Sequence, residues 1–275
     1  MMNLIIPAMI ASFVLCSLVQ GKPIVVSPKD DLAKVFESAS DGDVFHLEDG
    51  VYASTNRINI HKSITVLAKN PGRATISGRR LKGPEIMLID TSNATSKATS
   101  RVVLDGIVIT EGSHAGYPAQ SGAIFIYNAT VDINNGEIHG NKANIDWIPT
   151  GAIMFTGGDN ALTITDTNIY DNTGSVGGIE HDDGYGNLTL IRCNIYNNRG
   201  EFGAAMQLGG AYSITNLTAT RIYSNVGTNT GGVFYDDEAV GAKFTTDSKT
   251  AIYGNNPWDC YGLFPVPKAC HNATW

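Results

Sequence analysis

Ile169-Tyr170-Asp171-Asn172, followed a few residues later by Gly177-Gly178-Ile179, is the stretch that decides the fold, because both strings recur along the chain. The first returns as Ile138-His139-Gly140-Asn141, Ile195-Tyr196-Asn197-Asn198, Ile222-Tyr223-Ser224-Asn225 and Ile252-Tyr253-Gly254-Asn255. Successive asparagines of these strings stand 31, 26, 27 and 30 residues apart. The second string returns as Gly122-Ala123-Ile124, Gly151-Ala152-Ile153, Gly203-Ala204-Ala205 and Gly231-Gly232-Val233, at separations of 29, 26, 26 and 28. Two independent markers that keep one period argue against coincidence and for a repeat architecture.

Between the two markers lies a third alternating run, Val131-Asp132-Ile133, Leu162-Thr163-Ile164 and Leu188-Thr189-Leu190. Each repeat therefore holds three short strands joined by Gly, Asn and Asp turns. Strands this short bury too little surface alone. Stacked coils solve the problem, because each strand pairs in parallel with its copy one coil away, at roughly 4.8 Å. Towards the N-terminus the pattern loosens but persists in Val102 to Thr110, Ile86 to Ile89, Ala74 to Ile76, Ile64 to Val66 and Val44 to Leu47. Before these, Asp30 to Ala39 reads as one short amphipathic helix, with Leu32, Val35 and Phe36 on a shared face and Asp30 and Asp31 suited to its N-terminus. Such a helix would cover the open end of the first coil. The expected fold is an all-β, right-handed parallel β-helix over residues 22–256, capped by a short N-terminal helix. Residues 257–275 form a Pro-containing C-terminal cap.

Composition agrees. Only 16% of the 275 residues are charged and 30 are glycine, which suits short strands and tight turns. A formal net charge of −7 argues against a nucleic-acid partner, whose phosphates demand Lys and Arg. Residues 1–21 read as a signal peptide, with an uncharged apolar run from Leu4 to Val19 and small residues Val19 and Gly21 before Lys22; a signal anchor is the alternative. No other segment approaches the ~20 apolar residues of a membrane span. Secretion is expected, and with it a disulfide between Cys260 and Cys270 in the tail. Cys193, in a strand pattern, reads as a small buried hydrophobe. Sequons at Asn93, Asn128, Asn187, Asn216 and Asn272 are expected glycosylation sites.

The stretch from Asp31 to Gly78, a cap helix followed by Asp-Gly-Asp-Val-Phe-His-Leu-Glu-Asp-Gly-Val-Tyr and Lys-Ser-Ile-Thr-Val-Leu-Ala, resembles the start of a pectin-lyase-like right-handed β-helix. The coils after Gly122 resemble the repeats of polymorphic outer-membrane proteins, with Ile in place of the usual Phe of their F-x-x-N string. Together the resemblances cover about residues 30–255 and imply the fold. Pectin-lyase-like members include polysaccharide lyases, hydrolases and epimerases, along with non-enzymatic adhesins, so an activity is not implied.

Several groups are candidates for chemistry. The asparagine row reads either as a binding ladder or as stacked corner residues that satisfy backbone groups. The tyrosines before them read as an exposed aromatic stripe or a scaffold stack. The densest ionisable cluster is Glu180-His181-Asp182-Asp183, and two coils later the matching slots hold Tyr235, Asp236, Asp237 and Glu238. Carboxylates gathered in this way could hold Ca2+, with Glu180, Asp183 and Asp237 as ligands, or support acid–base work by His181, Asp182, Asp183 and Asp236. The alternative is a solvated acidic turn, or an inward His181 satisfied by the core. Arg199, in the turn before Gly203, is the cation placed to help a lyase neutralise a uronate carboxylate. Two long turns, Glu111 to Ser121 and Ala143 to Pro149, leave one corner of neighbouring coils and suggest a binding cleft. His114, Tyr117, Asp146 and Trp147 in these turns, with Tyr235, are the candidate substrate-binding residues. The expected role is recognition of an extracellular polysaccharide or cell-surface glycan. A polysaccharide lyase or uronate epimerase is the alternative, and a structural matrix or coat protein a second one.

Overall fold

Alternation along each strand turns Ile, Leu and Val inward and leaves the short polar residues outside, so coils can stack only if like faces like. The computed structural model describes residues 23–81, 83–92, 100–113, 121–143, 150–158, 161–182, 185–209, 212–236, 241–262 and 266–274. Within these, the strands form three parallel sheets of nine, eight and nine strands, each neighbour being the equivalent strand of an adjacent coil. One coil runs through Thr130–Asn134 in the first sheet, Glu137–His139 in the second and Ile153–Thr156 in the third. The next follows through Ala161–Thr165, Asn168–Tyr170 and Ile179–His181. The architecture is the right-handed parallel β-helix expected from the repeat.

Register confirms the superposition of like residues. Ile138, Ile169, Ile195, Ile222 and Ile252 face one another in a single inward row. All five are buried. The first end is closed by a helix at Leu32–Glu37, shorter than the expected ten residues, which begins where Asp31 accepts a hydrogen bond from the Ala33 amide. Leu32 and Phe36 are its buried residues, and the Phe36 ring meets Phe45 edge-on at 5.1 Å. At the other end, Cys260–Tyr261 and Ala273–Thr274 extend the third sheet, and the Cys260–Cys270 disulfide ties the tail there. Cys193 is buried, and burial pushes its thiol up to about 11, so it stays protonated and inert.

The asparagine row is structural. Asn141, Asn172, Asn198 and Asn225 each donate through Nδ2 to the Oδ1 of the next ladder residue, at 2.9–3.0 Å. The Oδ1 atoms of Asn172, Asn198, Asn225 and Asn255 also accept the backbone amide of the asparagine before them, and the Nδ2 of Asn141, Asn172, Asn198 and Asn225 reaches the carbonyl of the inward Ile one coil back. The row ends on Asp259, whose Oδ1 accepts both the amide and Nδ2 of Asn255 at 2.8 Å. The tyrosines also form a stack: His139, Tyr170, Tyr196, Tyr223 and Tyr253 lie with successive ring centroids 4.7–5.6 Å apart and planes within 12° of parallel. Their faces cover one another and only edges meet solvent.

One alignment differs from the sequence reading. The backbone bonds Gly178 N to Ala204 O and Ala205 N to Gly231 O place Ala204, not Gly203, in the row of Gly122, Gly151, Gly177 and Gly231. Gly203 instead bridges to Thr230. An alanine occupies the corner in this coil, so matching letter to letter slides the string by one residue. Residues 1–21, the expected signal peptide, lie outside the described residues. No helix among the described residues is long and apolar enough to cross a membrane.

Candidate functional site on the third sheet

The inward positions of the third-sheet strands are Ile153 and Phe155, Ile179 and His181, Met206 and Leu208, and Val233, all buried. The residues between them therefore face outward as one row: Met154, Glu180, Gln207, Phe234 and Tyr261. One step further along, Asp182, Gly209 and Asp236 follow one another in register, because Gly209 N bonds His181 O and Asp236 N bonds Leu208 O.

This parity turns His181 inward, one of the alternatives that the sequence left open. Its ring lies in the interior, 4.7 Å from the Phe155 ring, and the residue is 1% exposed. Its Nδ1 has no hydrogen-bond partner among the described residues. Burial without a counter-charge lowers its pKa to about 4, so at neutral pH it is a neutral ring filling a Phe-sized slot. It does not share the outward face with Glu180 and Asp182, and acid–base chemistry on a ligand outside the solenoid is out of its reach.

Glu180 does face outward, yet it is 2% exposed and accepts a hydrogen bond from Thr150 Oγ1. Burial raises its pKa to about 8 against the opposing pull of that hydrogen bond, and the Asp182 charge adds to the rise. At neutral pH it is mostly the uncharged acid. Its neighbour one coil on, Gln207, has a buried Oε1 without a partner among the described residues.

Asp182 and Asp236 stand two coils apart, flanking Gly209. A side-chain carbon placed at Gly209 would lie 3.8 Å from Asp236 Cβ and 3.9 Å from Asp182 Oδ1. The glycine thus leaves a gap between two half-exposed acidic residues whose backbones, by strand spacing, stand roughly 10 Å apart while their side chains lean closer. Arg199 lies off this strand, next to Gly200, whose carbonyl accepts the amide of Thr228. It opens the two-residue strand Arg199–Gly200, which pairs with Val226–Gly227 at the corner between the second and third sheets, and it is exposed.

Beside Asp236 the outward face deepens into a groove of about 640 Å³, lined by Phe234, Tyr235, Trp258, Tyr261, Thr228 and Asn229 among others. Phe234 and Tyr261 stack at 5.3 Å with planes 9° apart, and Phe202 tilts against Phe234 at 5.9 Å. Trp258 is 36% exposed. Tyr235, a residue expected to bind substrate, is half-buried and packs against the core while also lining this groove. Phe234, Trp258 and Tyr261 were not among the expected site residues. The register supplies the signal that would have found two of them, since Phe234 and Tyr261 continue the outward row of Glu180; no repeat position marks Trp258.

His114, Tyr117, Asp146, Trp147, Asp183, Asp237 and Asn93 lie outside the described residues. The segments flanking the two long turns are described and pair with each other: Ser113 bridges to Lys142, and Ser121 to Thr150. Of the three expected Ca2+ ligands only Glu180 is described, and among the described residues no group of three or more His, Cys, Asp or Glu is placed to hold a metal ion. The four described sequons sit on the surface: Asn128, Asn187 and Asn216 on or beside first-sheet strands, and Asn272 in the C-terminal cap.

No protein-family model and no curated protein matches this chain. Two lyases are among the solved structures that resemble it distantly. An alginate lyase of polysaccharide lyase family 6, AlyGC, shares 16% identity over 92% of this chain and 38% of its own, with a TM-score of 0.43. A mannuronic-acid-specific family 6 lyase from human gut microbiota shares 14% identity over 88% of this chain and 65% of its own, with a TM-score of 0.42. The chain thus spans less than two thirds of either structure. At this identity and TM-score the likeness transfers neither residue roles nor activity.

Proposed function

We propose that this chain is an extracellular glycan-recognition protein that seats a polysaccharide in the groove on the outward face of its third sheet. The observation that carries this reading is the aromatic lining. Trp258, Phe234 and Tyr261 offer apolar faces and edges to the C–H faces of sugar rings, while Thr228 and Asn229 supply hydrogen-bonding groups to fix orientation. His114, Tyr117, Asp146 and Trp147 would form a separate contact for a long chain, because their turns lead into the strands Ile124–Tyr127 and Ile153–Thr156, four and three strands from that of Phe234. The Cys260–Cys270 bond and the sequons support passage through an oxidising, glycosylating compartment. Calorimetry against a panel of polysaccharide oligomers tests the reading. Trp258→Ala and Phe234→Ala should each weaken binding about tenfold, the loss of one well-packed aromatic contact. Unchanged affinity in both variants dismisses the groove.

A second reading, a carbohydrate-active enzyme of lyase or epimerase type, is favoured by one feature: Glu180, an uncharged buried acid, lies beside Asp182 on the outward face. In that reading Asp182, Asp183 and Asp236 would serve proton transfer, Arg199 would neutralise a uronate, and a Ca2+ held by Glu180, Asp183 and Asp237 could assist. Appearance of ultraviolet-absorbing unsaturated ends on a uronate polymer would establish the lyase, and exchange of solvent deuterium into the polymer without cleavage would establish the epimerase.

A further inference from the structure

Two exposed rings stand at the corner where the third sheet gives way to the first. Tyr185 is 65% and Tyr212 59% exposed, the most exposed aromatic residues among those described. They hold equivalent places in successive coils, each two residues before the paired Asn187 and Ile214. Their ring centroids lie 5.8 Å apart, with planes 9° from parallel. Tyr212 has a left-handed backbone, φ 59°, which a bulky side chain rarely adopts. Gly241 takes the next place in the row, two residues before Lys243, the partner of Ile214. A side-chain carbon there would fall 2.7 Å from the Tyr212 ring, so only glycine lets that coil come up against it. Tyr212 is thus held between Gly241 and Tyr185. Tyr185 rests one face on Tyr212, and among the described residues no second ring covers the other.

Two such rings offer at most a few hundred Å², roughly, far short of the ~1,000 Å² of a specific protein interface. A single sugar ring matches that area, and the chain can supply one itself. Tyr185-Gly186-Asn187-Leu188-Thr189 sets a sequon two residues after the open ring. The other four sequons have no aromatic residue at that place, which holds Thr91, Ile126, Ile214 and Cys270. Asn187 is exposed and opens its strand with Leu188 and Leu190 buried, so its side chain points outward. Residues two apart in extended chain share a side, roughly 7 Å apart. Gly186 already runs beside the next coil, its carbonyl accepting the amide of Ile214. We infer that Tyr185 seats the first N-acetylglucosamine of a glycan carried by Asn187. The sugar, joined through C1 to Nδ2, lays its apolar C–H face on the open face of the ring. Tyr212 is a positioning residue that backs the ring from the other side. The contact ties the root of the glycan to this corner and stabilises the coil that carries it. It is independent of the groove and of what the groove binds.

Urea unfolding of the full chain from a glycosylating host tests this, with and without Asn187→Gln and each combined with Tyr185→Ala or Tyr185→Phe. A stacked contact should make the folding equilibrium constant about fivefold larger when Asn187 carries its glycan. The gain should survive enzymatic trimming of the glycan to its first sugar. It should also survive Tyr185→Phe, which keeps the ring face, and disappear in Tyr185→Ala. In protein from a host that adds no glycans, Asn187→Gln and Tyr185→Ala should act additively, which assigns the coupling to the sugar rather than to the two side chains. There Tyr185→Ala alone should barely move the urea midpoint, because the residue is so exposed. A glycan gain of equal size in Tyr185→Ala leaves the ring to an external ligand and overturns the inference. Peptide mapping that finds Asn187 unoccupied overturns it as well.

Discussion

Asn198 shows how one side chain can hold three coils together. Its Nδ2 donates to Ile169 O and to Asn225 Oδ1, and its Oδ1 accepts from both the amide and the Nδ2 of Asn172, all within 3.1 Å and away from water. Alanine at this position would remove four bonds and strand the donors of Asn172 and the carbonyl of Ile169. Each net bond is worth about 1 kcal/mol and each buried orphan costs about 1–3 kcal/mol, so Asn198→Ala should destabilise by about 3 kcal/mol or more in urea unfolding. A loss below about 1 kcal/mol would mean that the row is ornamental. Asn255→Ala should cost less, because Asn255 is slightly exposed and its partner Asp259 lies in the tail. This residue was legible in the sequence as a corner group, since a polar side chain that recurs on the coil period has backbone groups of its neighbours within reach.

The strand Ile179–His181 carries two buried titratable groups on opposite faces, and their pH dependences oppose each other. For Glu180 the folded pKa of about 8 exceeds the ordinary 4.5, so the folded state keeps a proton that the unfolded chain loses, and stability falls as pH rises from 4.5 to 8. For His181 the folded pKa of about 4 lies below the ordinary 6.5, so the unfolded chain takes up a proton that the folded state refuses, and stability falls as pH drops from 6.5 to 4. Between 4.5 and 6.5 the two slopes cancel, which predicts a stability plateau there and a decline on either side. From 6.5 to 8 the loss should reach about 2 kcal/mol, read from the urea midpoint at successive pH values. Glu180→Gln should abolish the alkaline decline and turn the plateau into an acid decline that begins at 6.5, and His181→Leu should abolish the acid decline and start the alkaline one at 4.5; a plateau that survives either substitution refutes the assignment. The sequence placed Glu180 and His181 together as one cluster because adjacent letters look like neighbours. Strand parity separates them, and parity depends on which residue of the Gly-Ala-Ile string turns inward. That choice was open until register fixed Ile153, Ile179 and Met206 in the core.

Across the molecule, period and alternation made the solenoid and its N-terminal cap readable, because both are written in every coil. The groove was not readable in the same way. Of its lining residues Thr228, Phe234 and Trp258, only Phe234 lies on the repeat; Thr228 and Trp258 match no recurring position, and Trp258 and Tyr261 join the site because the tail returns along the third sheet. The three sheets also divide the surface. The second presents the closed stack of tyrosine edges, the third the groove and its acids, and the first carries sequons. Asn187 opens the strand Asn187–Ile191 with Leu188 and Leu190 inward, Asn216 points outward from the middle of Ile214–Thr218, and Asn128 precedes Thr130–Asn134 by two residues. Glycans on these three would shield the first sheet and leave the third bare. Peptide mapping of material from a glycosylating host should therefore find Asn187, the most exposed of the three, occupied. Enzymatic removal of those glycans should leave the affinity for the ligand oligomer within about twofold, because a chain rooted on one face of a three-sided solenoid points away from the others. A large change in affinity on deglycosylation would place the ligand on the first sheet instead, where Asp132, Thr163 and Thr189 form the row beside the sequons.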